Sequence, residues 1–101
     1  MTTSGMRRDQ VVRVLQEHRA EWQQFDVQSL ALFGSVARDE ATPESDIDVL
    51  VEFRSAPTFD SYMGLKIYLE DLLGRRVDIA TRKMLRPWLR ETIEREALRV
   101  A

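Results

Sequence analysis

The sequence predicts an α+β fold in which a mixed β-sheet is flanked by helices, in the order α-β-β-α-β-α. Apolar residues at helical spacing alternate along the chain with short runs of β-branched and aromatic residues. The length of 101 residues, with 44% hydrophobic and 32% charged residues, suits one globular domain over 1–101. We expect the polar lead-in at residues 1–6 to be flexible.

The composition excludes several classes of function. Fifteen Lys and Arg residues against 17 Asp and Glu residues give a net charge of -2, which offers no general attraction to nucleic acid. There is no cysteine, so disulfides and thiolate metal sites are excluded, and a reducing compartment fits. No apolar run approaches the length of a membrane span, and the N-terminus lacks the apolar segment of a signal peptide. We therefore expect a cytoplasmic protein that binds neither membranes nor nucleic acid directly.

The first half of the chain predicts one helix and two strands. Val11, Leu15, His18 and Trp22 recur at steps of three and four, which predicts a helix from Arg7 to Trp22. His18 is the only histidine, so we place it at the edge of the core without a chemical role. Apolar and β-branched runs predict strands, and the polar residues 37–46 between them predict an exposed loop that can open with a helical turn. The two strands are Ser29–Phe33 and Ile47–Phe53.

The second half predicts two helices and one strand. After a loop at 54–58, helical spacing continues from Asp60 to Leu73, and Gly74 follows as a residue that can adopt the left-handed conformation at a helix end. Arg76–Ala80 reads as a third strand. A final helix starts at Pro87, which favours a first helical turn. Its predicted apolar positions are Leu89, Ile93, Ala97 and Val100.

Three aspartates on the predicted strands indicate chemistry. Successive side chains of a strand alternate between faces, so Asp46 and Asp48 point to one face while Ile47 and its apolar neighbours point to the other. Asp78 on the third strand is likewise flanked by apolar residues. If the third strand lies beside the second, the three carboxylates meet at one point.

Such a cluster needs a positive charge. Carboxylates 4 Å apart repel by roughly 4 kcal/mol per pair at an effective dielectric of about 20, and three pairs approach the whole stability of a small domain. Arg38 can serve one acid, but an all-oxygen set of Asp side chains suits Mg²⁺ or Mn²⁺. Two such ions about 3.5 to 4 Å apart could align an attacking oxygen with a nucleotide phosphate.

Gly34 and Ser35 end the first strand and are candidates for phosphate binding. Glycine lets the backbone approach an anion closely, while serine can cap a helical turn and offer a hydroxyl to a phosphate. For the dipeptide alone, a plain turn with an N-cap serine is the favoured interpretation, and the segment Ser45–Asp48 fits a polar entrance to a strand equally well.

The spacing of these motifs resembles a known signature. Gly34-Ser35, ten residues, Asp46-x-Asp48 and a later strand aspartate, Asp78, resemble the DNA polymerase β-like nucleotidyltransferase superfamily. More narrowly, FGSVARDEATPESDIDVLVEF followed by RRVDIATRKMLRPWLRETIEREA is similar to the minimal nucleotidyltransferases of the MntA-like family, which act as antitoxins beside HEPN-domain toxins.

The resemblance implies roles for individual residues. It implies that Asp46, Asp48 and Asp78 bind two Mg²⁺ ions and that Asp78 also activates the incoming hydroxyl. Gly34, Ser35 and Arg38 would bind the nucleotide. The family commonly has Ala-Arg-Gly where this chain has Ala37-Arg38-Asp39, so Asp39 adds a negative charge near the phosphates.

The resemblance also implies a partner. Few residues follow the acids, so we expect another protein to present the acceptor, and the family implies transfer of AMP from ATP to a tyrosine hydroxyl of a HEPN RNase toxin. Two alternatives stay open: a catalytically weak module that neutralises the toxin sterically, and an enzyme acting on a small molecule or an RNA end.

The remaining candidates have plainer interpretations. Six basic residues near the third strand form a solvated face or a surface that attracts ATP or an acidic partner. Four aromatic residues are core side chains or interface anchors, with core packing favoured. Glu70 and Asp71 read as surface residues. The basic residues are Arg75, Arg76, Arg82, Lys83, Arg86 and Arg90, and the aromatic residues are Phe59, Tyr62, Tyr68 and Trp88.

Overall fold

The computed structural model describes residues 7–40, 42 and 44–100, so the expectation of a flexible 1–6 segment lies outside the described residues. Helices and strands alternate, with two short 3₁₀ turns at Gln23–Phe25 and Arg82–Met84. The elements are α1 (Arg8–Glu17), α2 (Arg19–Trp22), β1 (Val27–Phe33), α3 (Gly34–Ala37), β2 (Ile47–Phe53), α4 (Phe59–Leu73), β3 (Val77–Ala80), α5 (Pro87–Glu96) and β4 (Leu98–Arg99).

The predicted mixed sheet is confirmed. Its four strands lie in the order β3-β2-β1-β4, with β2 and β4 antiparallel to β1 and β3 parallel to β2. Alternate residues of the strands form one buried cluster with apolar residues of α1, α2 and α4, including Leu15, Trp22 and Leu69. The polar residues Asp48 and Asp78 therefore lie on the opposite face of the sheet. Within the described part of the chain, no helix has the length and apolarity needed to cross a membrane.

The predicted first helix is divided at His18, which has φ −109° and ψ 21°. The His18 ring is within 2.8 Å of the Val14 carbonyl oxygen, and the Trp22 indole donates to the Leu15 carbonyl over 2.8 Å. The Leu15 carbonyl thus accepts the Trp22 indole, whereas the Val14 carbonyl also accepts the His18 amide over 3.2 Å, as it would in an unbroken helix. The half-buried His18 matches its expected place at the core edge.

The final predicted helix is wrong beyond Glu96, because the chain turns into the strand β4. Ala97 has the extended values φ −66° and ψ 136°, and the Val100 amide donates to the Leu30 carbonyl over 2.9 Å. Val100 is buried and joins the core as part of this edge of the sheet rather than as a helical position. The sheet therefore has one strand more than predicted.

The other edge strand, β3, is covered by side chains of α4. Glu70 accepts the Val77 amide over 3.1 Å, and Lys66 donates to the Val77 carbonyl over 2.5 Å and to Glu70 over 3.0 Å. The Tyr62 hydroxyl donates to the Ile79 carbonyl over 3.3 Å. Outward-facing backbone groups that edge strands normally leave free are thus satisfied. Glu70 is therefore a structural residue rather than the plain surface residue expected.

Candidate active site

Gly34 brings the turn after β1 into direct contact with Asp48. Its φ is +72°, and a Cβ atom at this position would lie 2.3 Å from an Asp48 carboxylate oxygen. Phe33 is paired with Asp48 across the sheet, so the turn begins beside this acid. A side chain at Gly34 would be strained by its backbone and blocked by the carboxylate. The structure thus joins the predicted phosphate turn to the predicted acids.

Two of the three aspartates occupy paired positions on neighbouring strands. Asp48 of β2 is directly opposite Asp78 of β3 in the parallel register. Asp48 is half-buried, and Asp78 is exposed between the buried Val77 and Ile79, as the alternation predicts. Asp46 precedes β2, where its carboxylate is 3.6 Å from the Arg76 guanidinium.

The electrostatics of Asp48 show that the acids lie within range of one another. Burial raises the pKa of Asp48, and the negative charges of Asp78 and Asp46 raise it further. The positive charge of Arg38 acts in the opposite direction but does not outweigh them. The Asp48 carboxylate is therefore in a setting that penalises its ionised form.

The three carboxylates are less tightly gathered than strand alternation predicts. Among residues 7–40, 42 and 44–100, no three acidic or histidine side chains stand close enough together to hold a metal ion. The physical reason is that Asp46 is turned toward Arg76, whose side chain is 85% exposed. Exposed ion pairs contribute about 0 to 1 kcal/mol, so rotation of Asp46 toward a cation is inexpensive. The donor set itself, three carboxylates mutually repelled, fits a hard divalent ion.

Ser35 does not cap a helical turn, contrary to the prediction. The N-cap of α3 is Phe33, and Ser35 is a half-buried residue within the turn. The chain turns one residue earlier than expected because Gly34 takes the left-handed conformation and itself begins α3. The Ser35 carbonyl accepts the Glu40 amide over 2.8 Å, which closes the segment after α3.

Arg38 is near the acids but is bound elsewhere. Its guanidinium is 2.9 Å from a Glu40 carboxylate oxygen and 3.6 Å from that of Glu96 at the end of α5. The hydrogen bond to Glu40 raises the pKa of Arg38. Arg38 is half exposed. Because these contacts are exposed, a phosphate group could compete for the guanidinium.

Asp39 occupies a backbone position that suits the glycine implied there by the family resemblance. Its φ is +60°, a left-handed value that glycine adopts readily and aspartate better than most other residues. Its carboxylate accepts the Arg8 amide over 3.0 Å and lies 3.7 Å from the Arg7 guanidinium. The Arg8 hydrogen bond lowers the pKa of Asp39. The added negative charge is thus paired with the start of α1.

The predicted basic and aromatic groups divide into different environments. Arg75 and Arg76 approach the segment before β2, because parallel pairing of β3 with β2 places the residues preceding both strands together. The sequence could have indicated this position of the two arginines, because strand pairing of β3 beside β2 brings together the residues that precede both strands.

The four aromatic residues lie in two environments. Phe59 and Trp88 are 77% and 71% exposed, so their predicted core packing is wrong. Tyr62 and Tyr68 pack partly against the core.

Comparison with known proteins gives a consistent picture. The family described as "Nucleotidyltransferase domain" matches residues 12–100. A Methanocaldococcus jannaschii relative that carries a protein adenylyltransferase name is 40% identical over 95 residues, covering 90% of this chain and 95% of its own. The protein adenylyltransferase MntA of Thermococcus cleftensis is 36% identical over 93 residues, covering 91% of this chain and 94% of its own.

Solved structures match the fold. One assigned as a minimal nucleotidyltransferase has a TM-score of 0.80 and 39% identity, covering 95% of this chain and 98% of the other. A complex of a tri-AMPylated Shewanella oneidensis HEPN toxin with an MNT antitoxin has a TM-score of 0.64 at 16% identity, covering 89% of this chain and 71% of the other. The second likeness shows the fold alone.

Proposed function

The chain belongs to the nucleotidyltransferase domain family, and from that premise we propose that it is a protein adenylyltransferase acting as an antitoxin. It transfers AMP from ATP to a tyrosine hydroxyl of a HEPN-domain RNase toxin in the cytoplasm and so neutralises it. The observation that carries this proposal is the contact of Gly34 with Asp48 opposite Asp78, in a chain that matches named protein adenylyltransferases over about nine-tenths of its length.

The three aspartates would hold the divalent metal. Asp46, Asp48 and Asp78 supply only oxygen atoms, and their mutual repulsion favours Mg²⁺ or Mn²⁺ as a neutralising partner. When bound, such ions, two in the proposed arrangement, neutralise charge on the triphosphate and on the departing pyrophosphate.

The chain's own residues bind the nucleotide and move the proton. The Gly34 turn lets backbone N–H groups approach the β- and γ-phosphates, with the Ser35 hydroxyl beside them and Arg38 exchanging its exposed carboxylate partners for a phosphate oxygen. Asp78, exposed on the open face, accepts the proton of the acceptor hydroxyl. The hydroxyl oxygen then bonds to the α-phosphorus as the bond to pyrophosphate breaks.

A second protein supplies the acceptor in this proposal. A structure with the same fold is an antitoxin in complex with an AMPylated HEPN toxin, which supports the assignment of the partner. Two features favour the sterically acting alternative: the charge of Asp39 near the phosphates and the small acceptor site. Because the Asp39 carboxylate is paired with the start of α1, the first of these features weighs less.

The test is incubation of the purified chain with the product of the adjacent gene and Mg-ATP, followed by intact mass measurement. We expect AMP-sized additions to a tyrosine with the wild type and none with Asp48→Asn. Arg13→Gln, an exposed change on α1, is the matched control and should behave as the wild type. Equal protection by Asp48→Asn in cells expressing the toxin would favour steric neutralisation, and AMP on a small molecule or RNA end would replace the proposed substrate.

A further inference from the structure

Arg75 binds backbone carbonyls of the segment that leads into Asp46. It lies between Gly74 and β3 and is half-buried. One nitrogen of its guanidinium, Nη2, donates to the Ser45 carbonyl over 3.0 Å and also to the Thr42 carbonyl. Arg75 therefore connects two backbone carbonyls of one turn to the beginning of β3.

The turn that Arg75 holds is closed by its own hydrogen bonds. The Ser45 amide donates to the Thr42 carbonyl over 3.0 Å, and the Thr42 amide donates to the Ser45 hydroxyl over 2.9 Å. The next residue is Asp46, and the Ile47 amide donates to the Arg76 carbonyl over 2.9 Å. Asp46 is thus the residue between a turn fixed by Arg75 and a strand fixed by β3.

The two neighbouring arginines differ in what they can do. Arg76 is 85% exposed and pairs with the Asp46 carboxylate at 3.6 Å, a contact that a cation can displace. Arg75 binds carbonyl groups, which a divalent ion at Asp46 leaves in place. The Nη2 nitrogen of a guanidinium carries two N–H groups in the guanidinium plane, which suits the carbonyls of Thr42 and Ser45.

We propose, on the basis of the function proposed above, that Arg75 is a positioning residue for metal binding. It holds the Thr42–Ser45 turn so that Asp46 enters β2 with its carboxylate within reach of the ion that Asp48 and Asp78 share. Residues that orient metal ligands without binding the metal themselves typically support its affinity. Their substitution weakens metal binding by about 10- to 100-fold. Loss of Arg75 frees the turn, and each metal-binding event must then order it again.

The test compares Arg75→Gln and Arg75→Lys with Arg13→Gln as the control, after circular dichroism confirms that all are folded. Mn²⁺ affinity is measured by electron paramagnetic resonance with a non-hydrolysable ATP analogue, and amide hydrogen exchange is measured at Ser45. We expect Arg75→Gln to weaken Mn²⁺ binding about tenfold and speed exchange at Ser45. Arg75→Lys should recover part of both, and Arg13→Gln should match the wild type.

The outcomes separate this inference from the proposed function. Wild-type Mn²⁺ affinity in Arg75→Gln, or unchanged exchange at Ser45, overturns the role of Arg75 even if AMP transfer is observed. A third outcome is that the wild type binds Mn²⁺, Arg75→Gln binds it more weakly, and the wild type modifies no protein. In that case the positioning role stands and the proposed function fails. Absence of Mn²⁺ binding by the wild type overturns both.

Discussion

Two carboxylates near β3 have opposite environments. Glu70 reaches the strand from α4, where the Val77 amide and Lys66 bind it and lower its pKa. Asp48 lies on the neighbouring strand, where burial and the charges of other aspartates raise its pKa. The fold stabilises the ionised form of Glu70 and destabilises the ionised form of Asp48.

The opposite pKa shifts of Glu70 and Asp48 distinguish a carboxylate with a structural role from one with a proposed chemical role. An acid surrounded by donors contributes to stability, whereas an acid held against like charges is typical of a functional site. The outer edge of β3 therefore completes the sheet, and the open face at Asp48 and Asp78 is where we propose that a cation binds.

The largest effect is expected from Asp48→Asn. AMP transfer should fall at least about a hundredfold, because metal coordination is worth several kcal/mol in the transition state. The melting temperature should rise by a few degrees at neutral pH. A raised folded-state pKa means that the acid's stabilising contribution is present below the unfolded pKa and is lost as pH rises through the folded pKa. A less stable or fully active variant, in calorimetry and rate assays, would contradict the comparison.

Gly34→Ala and Gly74→Ala form a matched pair. Both glycines have left-handed φ values, +72° and +66°, but a Cβ at Gly34 meets Asp48 whereas one at Gly74 meets nothing within 4 Å. Backbone strain should cost each variant about 1 to 2 kcal/mol of stability, and the contact with Asp48 should add to the cost of Gly34→Ala alone. Only Gly34→Ala should also abolish AMP transfer. Urea unfolding and initial rates test this, and equal activity of the two variants would show that the contact with Asp48 is unimportant.

Arg38→Gln and Glu96→Gln should act in opposite directions. Arg38→Gln should raise the KM for ATP about two- to fivefold, because a phosphate loses a charged donor. Glu96→Gln should lower that KM, because it removes a carboxylate 3.6 Å from Arg38 that competes with phosphate. Steady-state kinetics with a fixed acceptor protein measure both. Parallel changes in the two variants would exclude competition for Arg38.

The smallest effect on activity is expected from Glu70→Gln. Its melting temperature should fall by a few degrees at neutral pH, while AMP transfer stays within about twofold of the wild type. Because the folded-state pKa of Glu70 is lowered, the stability it contributes is present above the unfolded pKa and is lost as pH falls through the folded pKa. Melting curves from neutral to acidic pH should therefore converge. If the difference in melting temperature between the wild type and Glu70→Gln is the same at every pH, the loss of stability comes from packing rather than from the charge of Glu70.

Local patterns predicted the features that depend on neighbours in sequence. The strand Ile47–Phe53 has its predicted bounds, and Gly74 ends α4 in the left-handed conformation. Asp48 and Asp78 are neighbours because parallel pairing follows from the helix between their strands. The functional roles of these acids remain predictions that the experiments above test.

The missed features depend on partners distant in sequence. Ala97 and Val100 fit helical spacing, but the hydrogen bond of Val100 to Leu30 decides for a strand. The sequence places Glu70 on the surface of its helix, and its structural role depends on the hydrogen bond that it accepts from the Val77 amide. The division of the first helix likewise requires the Trp22 indole to find the Leu15 carbonyl. Local periodicity carries no signal for such contacts.

The most direct test is a carbon-13 NMR titration of the Asp48 carboxyl, with and without Mg²⁺ and a non-hydrolysable ATP analogue. Without the ion, we expect the pKa of Asp48 to lie above that of an ordinary aspartate. With the ion and analogue, the pKa of Asp48 should fall, because a positive charge within a few ångströms favours the ionised carboxylate. A pKa that does not respond to Mg²⁺ would contradict the assignment of this face of the sheet as the metal-dependent site.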